Sequence, residues 1–306
     1  VSAEGGTKAV VAALFANLGI AVTKFVAYGL TMSSSMLAEA IHSVADSGNQ
    51  VLLLVGGKRA SREATPQHPF GYGRQRYIYA FIVSIVLFTV GGLFALYESY
   101  HKLQHPEPIT AWKWVPVTVL VVAIVLEGLS FRTAIKESRG PKGKASWAEF
   151  VRRARVPELP VILLEDFAAL VGLVLALFGV GMTLITGDGI WDAIGTGMIG
   201  LLLVAVAVIL AVEMNSLLIG ESATEENEAR IVTAITGGGE VDRIIHMKTL
   251  HLGPEELLVA AKVGIRHDST AAEIAQGINA IEVRIREAVP IARVIYIEPD
   301  IYSTER

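Results

Sequence analysis

Six stretches of this 306-residue chain are mainly apolar and about 20 or more residues long, the length a helix needs to cross a bilayer core. They cover residues 8–30, 34–57, 77–100, 112–135, 159–186 and 190–218. A chain built this way has few folds open to it, because each backbone polar group in lipid must be satisfied within a helix or a closed barrel. Runs of this length predict helices. Residues 8–30 lack the basic opening and small-residue cleavage site of a signal peptide, so they count as the first span. Composition agrees: 52% of residues are hydrophobic and 18% charged, against about 25% charged in soluble domains. Disorder is excluded on the same ground. The chain has no cysteine, which removes disulfides, thiolate zinc sites, iron–sulfur clusters and cysteine nucleophiles. A net charge of −4 gives no global basicity for nucleic acid.

The basic residues alternate from loop to loop. Lys58, Arg59, Arg62, Arg74 and Arg76 follow the second run, and a second basic group from Arg132 to Arg155 follows the fourth. The loop after the first run has no base, the one after the third has Lys102 and Lys113, and the turn after the fifth carries Asp188 and Asp192. The positive-inside rule then puts the basic loops and both termini in the cytoplasm. From residue 221 onward 15 acids face 9 bases, whereas the first 220 residues hold 15 acids and 17 bases. The expected division is a six-span transmembrane domain at 1–220 and a cytoplasmic domain at 221–306. Helical spacing at 224–235 and 270–288, with β-rich runs at 241–251, 257–266 and 294–297, gives the order αββαβ. That order fits a small ferredoxin-like α+β domain. Ser269 or Thr270 is placed to cap the second helix.

Polar side chains inside spans cost roughly a few kcal/mol each and need a reason. In the second run Glu39, His42 and Asp46 fall at i, i+3 and i+7, on one helical face. His42 and Asp46, four apart, can reach one ion together, and imidazole plus carboxylate is a donor set that zinc accepts and iron or manganese tolerate. The fifth run adds Glu165 and Asp166, the fourth Glu127, and the first the neutral oxygen donor Asn17. Several titratable groups facing one cavity, where a divalent cation and protons compete, meet the physical requirement of a cation/proton exchanger. His101 and His105 read as solvated loop residues. Gly91, Gly92, Gly195, Gly197 and Gly200 read as small residues that let helices pack closely.

These features together resemble the cation diffusion facilitators, a family of divalent-metal/proton antiporters. The resemblance is carried by SSSMLAEAIHSVAD at 33–46, HPFGYGRQR at 68–76, six spans and an αββαβ tail. AEAIHSVADSGNQ and LLEDFAAL look most like the branch that includes the ninth human zinc-transporter type and its bacterial relatives. The resemblance implies a homodimer in a lipid bilayer, a transporter rather than an enzyme, and an ion site made by a pair on span two and a pair on span five. Here these are His42 and Asp46, then Asp166. The partner position four residues before Asp166 is Ile162, which cannot bind metal. Glu165 is the candidate fourth ligand, with Glu127 or Glu39 behind it, or water. Tyr72 stands where many members have a second histidine in HxFGHG, so the loop motif shapes the chain there rather than binding metal. The tail ligands of the family align with Tyr296 and Glu298, and a dimerisation role is expected for the domain.

The expected function is efflux of a divalent metal, zinc foremost, in exchange for protons by alternating access, across a bacterial inner membrane. Iron(II) or manganese(II) export is the alternative, because carboxylates outnumber nitrogen donors. A non-transporting metal sensor or scaffold comes next. An intramembrane metal-dependent hydrolase comes last, since no HExxH occurs.

Overall fold

A computed structural model describes residues 3–31, 34–106 and 112–301. Ser33, which opens the first motif, and the last five residues of the tail lie outside the described residues. The chain divides into two compact units. One comprises residues 1–59 and 76–215, the other 60–75 and 216–306. The loop that carries HPFGYG therefore groups with the tail.

The first unit is helical. Its elements are α1 (Ala3–Thr31), α2 (Ser34–Ala60), α3 (Gln75–Val86), a π-helical segment (Leu87–Leu93), α4 (Phe94–Gln104), α5 (Trp114–Lys142), the short α6 (Trp147–Arg153), α7 (Glu158–Thr186) and α8 (Ile190–Ile219). Among the described residues, four helices are both long and apolar enough to cross a membrane: Gln75–Gln104, which joins α3, the π segment and α4, then α5, α7 and α8. The chain is thus an integral membrane protein. α1 and α2, at 29 and 27 residues, have the length but fall outside that set. For α2 the polar stripe at Glu39, His42 and Asp46, with Lys58 and Arg59 in its last turn, dilutes the apolar run.

Small residues set the closest approaches. A Cβ on Gly92 would stand 2.7 Å from Val204 Cγ2 of α8, and one on Gly200 would stand 2.8 Å from Leu96 Cγ of α4. Gly179 and Gly195 bring α7 and α8 together in the same way. In a membrane such contacts supply the packing energy that the hydrophobic effect supplies in water. α5 packs on both α1 and α7. Ion pairs Arg76–Glu158 and Lys102–Asp192 join distant parts of the chain within this unit.

The tail realises αββαβ: α9 (Glu225–Thr236), β1 (Arg243–Gly253), β2 (Glu256–Gly264), α10 (Ala271–Ala288) and β3 (Ala292–Asp300). Sheet order is β1-β2-β3, antiparallel across the hairpin and parallel between β2 and β3, with α10 as the crossover. Residues 257, 259, 261 and 263 of β2 are buried against Ile231 and Ile235 of α9 and Ile281 and Ile285 of α10. Thr270 caps α10 in a capping box: the Glu273 amide donates to Thr270 Oγ1, and the Thr270 amide donates to Glu273 Oε2 at 2.8 Å. β3 is longer than the expected 294–297 at both ends and runs through Pro299 to Asp300. The strand has β2 as its neighbour on one side only, and an edge strand tolerates the missing N–H.

Loop 60–75 lies against this domain through glycine. A Cβ on Gly253 would stand 2.7 Å from Gly73 Cα, and one on Gly73 would stand 3.0 Å from both Gly253 Cα and Leu252 O. Only two glycines let the backbones come this close. His68 and Tyr72 stack within the loop, and the Tyr72 hydroxyl is 3.1 Å from His68 Nδ1.

Candidate metal centre

The stripe expected on α2 is buried. Glu39, His42 and Asp46 are almost fully enclosed, as are Ser43, Asn49 and Gln50, while Val44 and Val51 on the other face are exposed. A 3.6-residue period separates the two faces with no help from the rest of the chain. His42 Nε2 lies 3.4 Å from Asp46 Oδ2, one helical turn away. Both ring nitrogens of His42 and Asp46 Oδ1 lack a hydrogen-bond partner among the described residues. Gly91 of the π segment borders the ring: a Cβ there would stand 3.6 Å from His42 Nδ1, an ordinary contact, and 3.2 Å from Leu203 Cδ1 of α8. π-helical turns often occur at functional sites, and this one turns a glycine toward the imidazole.

α7 supplies Glu165 and Asp166, both buried. Adjacent residues point about 100° apart on a helix, and the two find different partners. The Asn49 side-chain amide donates to Glu165 Oε1 at 2.7 Å, tying α7 to α2. The Ser130 hydroxyl of α5 donates to Asp166 Oδ2 at 2.8 Å. Glu127, one turn before Ser130 on α5, is buried with its Oε2 unpartnered among the described residues. Ile162, one turn before Asp166, is a buried apolar side chain. Asp46 lies within Coulombic range of Glu165, Glu127, Asp166 and Lys24. Carboxylates of three helices therefore share one low-dielectric region, where repulsion between them is strong unless a cation or protons are present.

Glu39 is engaged otherwise. The Lys24 ammonium of α1 donates to its Oε2 at 2.8 Å and to Ser43 Oγ at 2.8 Å, and all three residues are buried. Asn17, expected as a neutral oxygen donor, gives its side-chain N–H to Gln50 Oε1 at 3.4 Å, and its Oδ1 has no hydrogen-bond partner among the described residues. Among the described residues, no three His, Asp or Glu side chains converge on one point as they stand. Each α7 carboxylate is held by a neutral hydrogen-bond donor, Glu165 by Asn49 and Asp166 by Ser130.

Lys24, Asn49 and Ser130 were not singled out from the sequence. Lys24 had a signal, as the one charged residue between 9 and 30 in the first apolar run. Asn49 lies three residues after Asp46 on the same stripe. Ser130 had none, because serine is at home in any membrane helix.

Residues 10–219 match the family of the cation efflux transmembrane domain. The proton-coupled zinc antiporter SLC30A9, mitochondrial, of Xenopus laevis is 33% identical over 262 residues, which is 85% of this chain and 47% of the relative. The Homo sapiens protein of the same name is likewise 33% identical over 262 residues, 85% of this chain and 46% of its own length. Metal tolerance protein C4 of Arabidopsis thaliana is 27% identical over 267 residues, 86% of this chain and 58% of the relative. The chain spans about half the length of these relatives.

Proposed function

The chain belongs to the cation diffusion facilitator family of cation efflux transporters, and from this we propose that it moves a divalent transition metal, zinc foremost, across a membrane in exchange for protons. The observation that carries the reading is the facing of His42 and Asp46 on α2 with Glu165 and Asp166 on α7, joined by the Asn49–Glu165 hydrogen bond. Imidazole and carboxylate lone pairs bind either a proton or a metal, so raising the proton concentration on one side releases the ion there. The ligands are His42, Asp46, Asp166 and Glu165, with the buried Glu127 of α5 as a further carboxylate in reserve. Rotation of Glu165 away from Asn49 and of Asp166 away from Ser130 assembles the set. Glu39 is withheld by Lys24. Preference for zinc rests on His42, and the surplus of carboxylates supports iron(II) or manganese(II) as further cargo.

In this reading α1 and α2 also span the bilayer, giving six spans. Phe15, Val22 and Val26 of α1 are exposed, as a lipid-facing stripe requires. Residues 1–220 form the transport domain and 221–306 the dimerisation domain of a homodimer. The basic loops face the compartment from which metal leaves. A bacterial inner membrane with cytoplasmic termini fits the alternation of basic loops, and the word mitochondrial in the relatives' names makes a mitochondrial membrane the rival location.

The test is reconstitution in liposomes with an internal zinc dye and an imposed proton gradient. The parent protein is expected to move zinc coupled to proton counterflow. Asp46→Ala and Asp166→Ala are expected to abolish it. Zinc binding without flux in the parent would favour a metal sensor, the reading that Ile162 in place of a ligand supports.

A further inference from the structure

Lys24 is fully buried in the second half of α1, two turns before its end. An ammonium in a low-dielectric interior is retained only if its charge and its three N–H donors are met. Here they are: Nζ donates to Glu39 Oε2 at 2.8 Å, to Ser43 Oγ at 2.8 Å and to the Glu39 carbonyl oxygen at 3.4 Å. All three acceptors come from the first turns of the α2 stripe that continues into His42 and Asp46. Glu39 is one turn before His42. Its second oxygen, Oε1, has no partner among the described residues and lies 3.6 Å from where a Cβ on Gly172 of α7 would be. The carboxylate thus sits between α2 and α7, as the proposed ligands do. The Lys24 charge also reaches His42, Asp46 and Glu127.

We infer that Lys24 is a selectivity-determining residue: as a cation built into α1 it holds Glu39 out of the ion site and so keeps a fourth carboxylate from joining the donor set. The inference rests on the transport reading above for the identity of that site. Its physical basis is donor chemistry. Zinc is satisfied by four donors in a tetrahedron and prefers a set that includes nitrogen. Manganese(II) favours oxygen and higher coordination numbers, so a further carboxylate helps it more. Replacing Lys24 with a neutral side chain frees Glu39 and leaves a buried negative charge that a divalent ion can neutralise. The donor set then gains one oxygen-rich ligand, and discrimination against manganese falls.

The experiment measures zinc and manganese binding by equilibrium dialysis on the full detergent-solubilised chain, with flux of both ions in liposomes alongside. Lys24→Met is expected to raise the manganese-to-zinc affinity ratio about tenfold, and Lys24→Met/Glu39→Gln to return it to the parental value. Lys24→Arg is expected to keep the parental ratio, because the guanidinium preserves the charge opposite Glu39. If the pair were only a clamp between α1 and α2, Lys24→Met would leave the ratio unchanged, and that result overturns the inference. Should Lys24→Met fail to insert, the double variant, whose pair is neutral, decides. Zinc affinity close to the parental value is expected, whereas a loss of about tenfold or more would make Glu39 a ligand and overturn the inference. A parent that binds both ions but moves neither removes the transport reading and leaves the binding ratios to judge Lys24. A parent that binds neither ion overturns both.

Discussion

Asn49 illustrates how a single side chain holds a buried carboxylate in place. Its amide is the partner that keeps Glu165 Oε1 satisfied in the interior. Asn49→Ala leaves a buried carboxylate oxygen unpaired, at a cost of about 1–3 kcal/mol to the metal-free protein. Bound metal would restore a partner for Glu165, so the rise in thermal midpoint on adding zinc is expected to be larger in Asn49→Ala than in the parent. A zinc-induced shift smaller than the parent's would show that Asn49 supports the bound state instead. In the tail, Glu240 is the side chain to follow with pH. Hydrogen bonds from Arg284 hold its carboxyl below the ordinary value of 4.5. A carboxyl depressed in the fold adds stability above its unfolded pKa and loses it as pH falls through the folded one. The thermal midpoint of the tail is therefore expected to drop on acidification below about pH 4.5 in the parent and to drop less in Glu240→Gln, where the titrating group is gone. Equal acid sensitivity in the two proteins would place the effect elsewhere.

At the scale of elements, the π segment is where packing and site meet. Gly92 faces Val204 at a distance that leaves no room for a side chain, and Gly91 borders both His42 and Leu203. Gly92→Val forces the helices apart and is expected to destabilise the first unit by about 1–3 kcal/mol, read as a lowered thermal midpoint in detergent. Capping offers an independent case. Thr270→Ala removes the hydroxyl that accepts from the Glu273 amide and is expected to cost about 1 kcal/mol of tail stability. The cap and the five tail elements were legible along the sequence, because a cap, a helical period and a β-rich run are each local. The π segment was not, because 87–93 keeps the apolar character of the helices on either side and the wider turn is set by contact with α8.

For the molecule as a whole, loop 60–75 joins two parts of the chain that are far apart in sequence. Gly73 meets Gly253 at the end of β1, backbone against backbone. Gly73→Val cannot be accommodated there, so the loop is expected to leave the tail and become sensitive to limited proteolysis at 60–75. A digestion pattern matching the parent's would show that the contact can be rebuilt around a side chain.

Length and period are properties of neighbouring residues, so the long apolar helices, the order αββαβ and the buried face of α2 followed from the sequence. His42 and Asp46 were legible on the same ground, since four residues make one turn of a helix in any setting. Which helix meets which, and at what rotation, is fixed by packing between segments from 15 to more than a hundred residues apart. That packing gave Glu39 to Lys24, Glu165 to Asn49, Asp166 to Ser130 and Gly73 to Gly253. No one-dimensional pattern contains those pairings, because each depends on a crossing angle and a side-chain direction that only the assembled helices and sheet define.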